Sequence, residues 1–469
     1  MLFSSMTFIY VFLPIVLVLY FAIGKKFRNL VLLLASFFFY AWGEPKFCLL
    51  MFLTIFLNYF GAILIDKYPT KRKIFLFLTV SLNLLVLFYF KYFNFLIDIL
   101  NSIYYLDIEP LDIILPLGIS FYTFQALSYV LDVYKKECKV QKSIYKLALY
   151  ISLFPQLVAG PIIKYRDIAV QIDSREENIE KVSLGVKRFI IGLSKKVLIA
   201  NTLGAVADKV FAQSPDSFSP IIAWIGSISY MFQIYFDFSG YSDMALGLGL
   251  IFGFKFMENF NYPYISKSLS EFWRRWHISL STWFKNYVYI PLGGNKSGKN
   301  KTYRNLLIVF LLTGIWHGAA MNFVIWGLWH GIFIILEKKI DAEKNEEKCN
   351  NVYFKLMQRF YCLFVVLVGW VIFRADSLSY AGKYLLNMLG GLKLNPDNFI
   401  YSNSYYVDKF EILIFVVAIL CSLPLFEKMI YVKNNFAKIF INLWMLILFF
   451  LSTVMIAANT YNPFIYFRF

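Results

Sequence analysis

Residues 305–336 read NLLIVFLLTGIWHGAAMNFVIWGLWHGIFIIL, without one Asp, Glu, Lys or Arg. A bilayer core of about 30 Å needs roughly 20 apolar helical residues to cross it. Backbone polar groups inside a membrane can be satisfied only in helices or closed barrels. A barrel strand would be a segment of about 10 alternating residues, and nothing in this stretch alternates. Working outward, apolar stretches recur at 6–24, 189–211, 220–254, 353–373, 409–426 and 437–458. Of the 469 residues, 59% are hydrophobic and 16% charged, where an ordinary soluble domain has about 45–50% and 25%. A soluble enzyme, a disordered chain and a fibre are excluded. The expected fold is all-α and polytopic, with roughly 10 to 12 membrane segments, some re-entrant.

The net charge is +17. In a membrane chain such an excess collects in cytoplasmic loops and orients the spans, so no nucleic-acid partner is expected. Lys25, Lys26 and Arg28 follow a first span at 6–24, whose charges come after it, the wrong order for a cleaved signal peptide. Two spans separated by the turn Gly43-Glu44-Pro45-Lys46 lead to the next basic cluster, Lys67 to Lys73. The acidic loop 107–112 reads as external and the lysines from Lys135 to Lys146 as internal, which puts the N-terminus outside. Residues 164–188 are polar, with the run Asp173-Ser174-Arg175-Glu176-Glu177, and read as a cytoplasmic loop or surface helix. The whole of 1–469 is expected to be one membrane domain: N-terminal spans at 1–163, a core at 164–340 with a cytoplasmic amphipathic segment at 265–304, and C-terminal spans at 341–469. Residues 337–350 read as a solvated loop. The five cysteines have no metal-ligand spacing, so no zinc site or disulfide framework is indicated.

The chemistry should sit where polar residues interrupt apolar sequence, because ionisable groups there are expensive and usually functional. Three histidines occur: His277, His317 and His330. His317 lies between glycines in Gly314-Ile315-Trp316-His317-Gly318; a neutral imidazole there could act as a general base or bond a neighbouring helix. His330 repeats the Trp-His-Gly triplet. At about 100° per residue it would not share a face with His317 on one straight helix, though a glycine-broken hairpin could bring the two together. A packing role is favoured for His330. Around His277, the residues Trp273, Trp276, His277, Leu280 and Phe284 share one helical face, with Arg274, Arg275 and Lys285 mainly elsewhere. That pattern reads as an amphipathic interfacial helix, its basic residues either meeting lipid phosphates or receiving an anionic substrate.

The glycine-rich basic loop Pro291 to Lys301 could hold phosphates, but its partial fit to a P-loop lacks the Ser/Thr that would bind magnesium and reads as chance. Asp237 and Asp243, in the apolar run Tyr235 to Asp243, need cationic partners; a re-entrant loop tied to Arg274 and Arg275 is the expected solution. Both carboxylates, with Trp276 and Trp316, also stand as candidates for substrate contact. Phe154 to Pro161 carries two prolines and a glycine and should break its helix.

The blocks Pro155 to Ile162, Tyr235 to Asp243, Asn261 to Tyr264, Phe272 to His277, Tyr289 to Asn295 and Gly314 to Ala319, with Phe3-Ser4-Ser5 and Tyr40-Ala41-Trp42, resemble the membrane-bound O-acyltransferase (MBOAT) family. The likeness is greatest to the bacterial branch that O-acetylates alginate and peptidoglycan. It implies a helical fold around a central tunnel in the bacterial cell membrane, a catalytic histidine at His317 and a second functional polar residue at His277. It implies acyl transfer from cytoplasmic acetyl-CoA towards an extracytoplasmic polysaccharide, alginate-, peptidoglycan- or cellulose-like, with an SGNH-type extracytoplasmic transferase as partner. On that basis His317 is expected to deprotonate the acceptor hydroxyl. His277 would orient the donor or steady developing charge. Arg274, Arg275 and Lys285 would attract the anionic donor. The alternatives are a D-alanyltransferase of teichoic acid fed by an acyl-carrier protein and, in another class, a glycan transporter or flippase.

Overall fold

The computed structural model describes residues 1–158, 160–296, 298–340, 351–395, 401–426, 434–458 and 461–464. Most of the charged stretch at 337–350, together with Ala159 and Ser297 of the motifs above, lies outside the described residues. Two compact units are formed: Met1–Phe189 with Tyr241–Met257, and Ile190–Gly240 with Glu258–Phe469. Among the described residues the regular structure is helical, without a strand.

In the first unit, α1 (Phe8–Ala22), α2 (Arg28–Gly43), α3 (Pro45–Lys67) and α4 (Arg72–Tyr104) follow one another, then α5 (Ile119–Tyr134). Of the two spans expected between the first basic clusters, α3 has the length and apolarity to cross a membrane, while α2, of 16 residues, precedes it across the Gly43-Glu44-Pro45 turn. Only 17% of the apolar window of α4 is buried, so the rest is surface that lipid must cover. α3 and α4 are joined by polar contacts instead. Asn58 and Asn83 exchange side-chain hydrogen bonds of 2.9 and 3.1 Å, and a Cβ on Gly61 would overlap Thr79. Small residues with an amide pair are how helices hold together where apolar burial gives no drive, worth about 1 kcal/mol per bond. The helix at Ile144–Ser152 stops ahead of Pro155, and the buried turn Phe154–Leu157 follows, as the prolines dictate.

The polar run at 173–177 is not simply a surface element. Arg175 and Glu177 turn inward, their side chains 7% and 9% exposed. Glu177 accepts from Tyr20 Oη at 2.6 Å and pairs with Arg28 at 3.0 Å, while Arg175 donates to Asn29 at 2.6 Å and to the Phe252 carbonyl at 2.9 Å. Each buried charge is affordable only because the other neutralises it.

α6 (Ile179–Phe211) and α7 (Pro220–Ile251) contribute to both units. α7 is continuous through Tyr235–Asp243, so the expected re-entrant loop there is corrected to a spanning helix. In the second unit come the short helices α8 (Leu269–Arg275) and α9 (Ile278–Phe284), then α10 (Lys299–His317), α11 (Met321–Lys339), α12 (Val352–Arg374) and α13 (Asn435–Ala458). Among the described residues six helices have the length and apolarity to span a membrane: α3, α4, α6, α7, α12 and α13. The other expected segments are shorter helices such as α1, α2 and Lys409–Cys421. The opening stretch is itself cut into α10 and α11 at Gly318-Ala319-Ala320.

Burial acts to raise the Glu177 pKa, but hydrogen bonds from Tyr20 and Arg28 and the charges of Arg28 and Arg175 outweigh it and hold the carboxyl below its ordinary value. A carboxylate so held stabilises the fold above its unfolded pKa of about 4.3 and loses that contribution as pH falls through the folded value. Glu177→Gln should therefore melt below wild type at neutral pH, with the gap closing below about pH 4. A melting gap independent of pH would contradict an ionic role for Glu177.

Candidate functional site

The centre of the second unit is a glycine contact between α10 and α11. A Cβ on Gly314 would collide with the Phe323 carbonyl, and one on Gly327 with the Phe310 carbonyl; each would also come within 3.3 Å of the other glycine's Cα. Only residues without a side chain allow helices this close. The contact turns two apolar helices into a hairpin. His317 is the last residue of α10, and His330 and Trp326 lie on α11, so the hairpin brings both histidines to one indole. Trp326, fully buried, has its ring centroid 5.1 Å from His317 and 5.1 Å from His330, both edge-to-face. This is the glycine-broken hairpin that the sequence left open.

The two imidazoles have different settings. His317, 6% exposed, also meets Trp316 at 5.0 Å and Phe373 of α12 at 5.3 Å. His330 is 0% exposed and enclosed by Trp273 at 5.1 Å, Trp326 and Trp370 at 6.4 Å. Its Nε2 packs so closely on Gly369 that a Cβ there would lie 2.6 Å away. α12 is tied to α11 by Asn322 donating to the Ala375 carbonyl and Trp329 to the Val365 carbonyl, both at 2.9 Å.

His277 arrives from a different element. The expected amphipathic helix is broken into α8 and α9, and the break is His277 itself, in the left-handed region at φ 42° and ψ 55°. A non-glycine residue there is strained, and such strain persists where the surroundings impose it. The one-face pattern nevertheless holds: Trp273, Trp276, His277, Leu280 and Phe284 are all buried, while Arg274 and Lys285 are exposed. Asn259 holds the break. Its carbonyl oxygen accepts from Ile278 N at 2.9 Å, and its Oδ1 lies 3.1 Å from His277 Nδ1. The ring meets Phe238 at 4.6 Å and Trp316 at 6.1 Å. His277 lies outside every spanning helix, and burial pushes its imidazole down to about 3, so it is neutral at working pH. The start of α8 is fixed by Glu337, 4% exposed, which accepts from Leu269 N at 2.7 Å and Ser270 N at 3.2 Å. Glu337 therefore belongs to the buried end of α11 and not to the solvated loop expected from residue 337 onwards.

Residues 34–373 match the profile of the MBOAT, membrane-bound O-acyltransferase family. The chain belongs to this family. It is 40% identical to the Probable alginate O-acetylase AlgI of Pseudomonas putida, over 100% of both chains. It is 37% identical to the peptidoglycan O-acetyltransferase of Helicobacter pylori, over 83% of this chain and 80% of that one. Similarity to the teichoic acid D-alanyltransferase of Bacillus subtilis is 32% over 46% of this chain and 57% of that one. The protein is thus an O-acyltransferase and a multi-pass protein of the bacterial cell membrane.

In this acyltransferase the expected partners of the two aspartates are corrected. Asp237 pairs with Lys196 at 2.6 Å, both side chains 2% exposed, and Asp243 pairs with Arg188 at 2.9 Å. Arg275 is held by Glu271 at 2.9 Å and by the Asn261 carbonyl at 3.0 Å. Trp276 is buried against Trp370 at 4.9 Å and Phe260 at 5.1 Å; Trp316 is 3% exposed beside His317. Among the described residues no cluster of three or more His, Cys, Asp or Glu could hold a metal ion. Sequence reasoning missed Lys196, Arg188, Asn259 and Glu337. Lys196 carried a signal, a lysine in an apolar stretch; Asn259 carried none.

Lys196 also donates to the Pro463 carbonyl. Removing a buried partner strands the other charge at a cost of about 3–5 kcal/mol, whereas replacing both with apolar residues is often neutral. Lys196→Met should lower the melting temperature sharply in detergent, and Lys196→Met with Asp237→Leu should recover most of the loss. A double variant no more stable than the single one would contradict the pairing.

Proposed function

We propose that the protein moves an acetyl group from cytoplasmic acetyl-CoA for O-acetylation of an extracytoplasmic polysaccharide of the alginate or peptidoglycan kind. The supporting observation is His317, a barely exposed imidazole at a helix end, walled by Trp316, Trp326 and Phe373. Such a site excludes water, which would otherwise compete as the acceptor. His317 takes the proton of the acceptor hydroxyl as its oxygen attacks the thioester carbonyl. The new C–O bond forms, the C–S bond breaks, and the proton returns to the departing thiolate. His277 either orients the donor or steadies the charge developing on the carbonyl oxygen. Exposed Arg274 and Lys285, with Arg275, supply positive charge towards the donor's phosphates.

The full-length likeness to an alginate O-acetylase supports this substrate class over D-alanylation, where the likeness to two teichoic acid D-alanyltransferases covers 46% and 55% of the chain. A glycan transporter is set aside, because the family is one of O-acyltransferases. An SGNH-type extracytoplasmic transferase would complete delivery to the polymer.

The test uses protein in lipid nanodiscs with radiolabelled acetyl-CoA, following CoA release and label transfer to polysaccharide with and without such a partner. His317→Ala should cut turnover roughly 10²–10⁴-fold at unchanged protein level, the usual worth of a general base. Full turnover in His317→Ala would overturn its role. Absent turnover in wild type, with tight binding of an acyl-carrier protein, would overturn the choice of donor.

A further inference from the structure

His277 can sit in either of two neutral tautomers, and its surroundings select one. Asn259 is 1% exposed, and three groups converge on its Oδ1: His277 Nδ1 at 3.1 Å, Ser279 N at 3.2 Å and Ser279 Oγ at 2.9 Å. The Ser279 backbone N–H can only donate, so the Asn259 atom facing it is the amide oxygen and not the amide nitrogen. An amide oxygen can only accept. His277 Nδ1 facing that oxygen must therefore carry the hydrogen, since two lone pairs would otherwise confront one another. Ser279 Oγ lies farther from Nδ1, at 3.4 Å, and its single hydrogen is directed to Asn259. The backbone adds to the lock, because the Asn259 carbonyl also receives Ile278 N–H at 2.9 Å, pinning the residue after His277.

We infer that Asn259 is a positioning residue that holds His277 as the Nδ1–H tautomer, so that Nε2 meets substrate as a hydrogen-bond acceptor. The inference deepens the acetyl-transfer proposal and rests on it for its consequence. A neutral ring with a bare Nε2 has no hydrogen to offer an oxyanion, so of the two roles left open for His277 only orientation of the donor remains. With the acceptor hydroxyl assigned to His317, Nε2 is left to accept a hydrogen from the donor, and the amide N–H groups of the acetyl-CoA arm are the donor hydrogens nearest its thioester. One such bond aligns the thioester without taking part in bond making.

The chain has three histidines, so ¹⁵N-histidine labelling in bilayers gives three rings, assigned by single His→Gln variants. In resting wild type the His277 ring should show protonated Nδ1 and unprotonated Nε2. Asn259→Leu, of similar size but without an acceptor, should lose that preference and raise KM for acetyl-CoA roughly ten-fold with kcat little changed, as for one hydrogen bond of uniform binding. Asn259→Asp, which keeps an acceptor oxygen, should retain both tautomer and KM. A protonated Nε2 in wild type, or an unchanged tautomer in Asn259→Leu, would overturn the inference, as would a fall in kcat with KM unaltered. The spectrum needs no turnover, so its failure is distinct from failure of the acetyl-transfer proposal. Wild type and Asn259→Asp keep the test decisive even where Asn259→Leu does not fold.

Discussion

The contact of Gly314 with Gly327 is the constraint on which the second unit depends. It lets two apolar helices approach until the carbonyls of Phe310 and Phe323 occupy the space a Cβ would need. The placement of two candidate histidines follows from that closeness. His317 at the end of one helix and His330 on the other meet the same Trp326 ring, and α12 seals the far side with Trp370 and Phe373. In lipid no hydrophobic drive holds helices together, so contact distance and polar ties must do it. Glycine supplies the distance; Asn322 and Trp329 supply the ties.

Burying charge in such a structure demands a partner for every group. The second unit meets this with Lys196–Asp237 and with Glu337 on the start of α8. The first meets it with Arg28, Arg175 and Glu177. Glu337 has a particular consequence. By fixing the N-terminus of α8 to the end of α11, it sets where Trp273 and Trp276 stand, and α8 then delivers His277 into the left-handed turn that Asn259 holds.

Much of the fold was legible because it rests on local properties. Long apolar runs require helices, prolines 155 and 161 require a break, and the Gly43-Glu44-Pro45 turn requires two helices where one run of apolar residues stood. The candidate histidines stood out for the same reason, as rare ionisable groups in apolar sequence. What stayed hidden was pairing between distant segments. Asp237 was visibly in need of a cation, but nothing local favours Lys196 over Arg274. The helix face of Trp273, Trp276 and His277 was correct although the helix was not continuous, because periodicity survives a one-residue break, here held by Asn259, 18 residues earlier in the chain. Glu337 looked solvated because its neighbours in sequence are charged, while its partners are backbone N–H groups at Leu269 and Ser270.

We propose that acyl transfer takes place at the imidazoles gathered around the α10–α11 hairpin. The most direct measurement is a cryo-electron microscopy structure in nanodiscs with a non-hydrolysable thioether analogue of acetyl-CoA. The acyl carbonyl carbon should lie within roughly 3–5 Å of His317, as near-attack geometry with an intervening hydroxyl demands, and an arm amide against His277 Nε2. An acyl group seated away from both rings would contradict it.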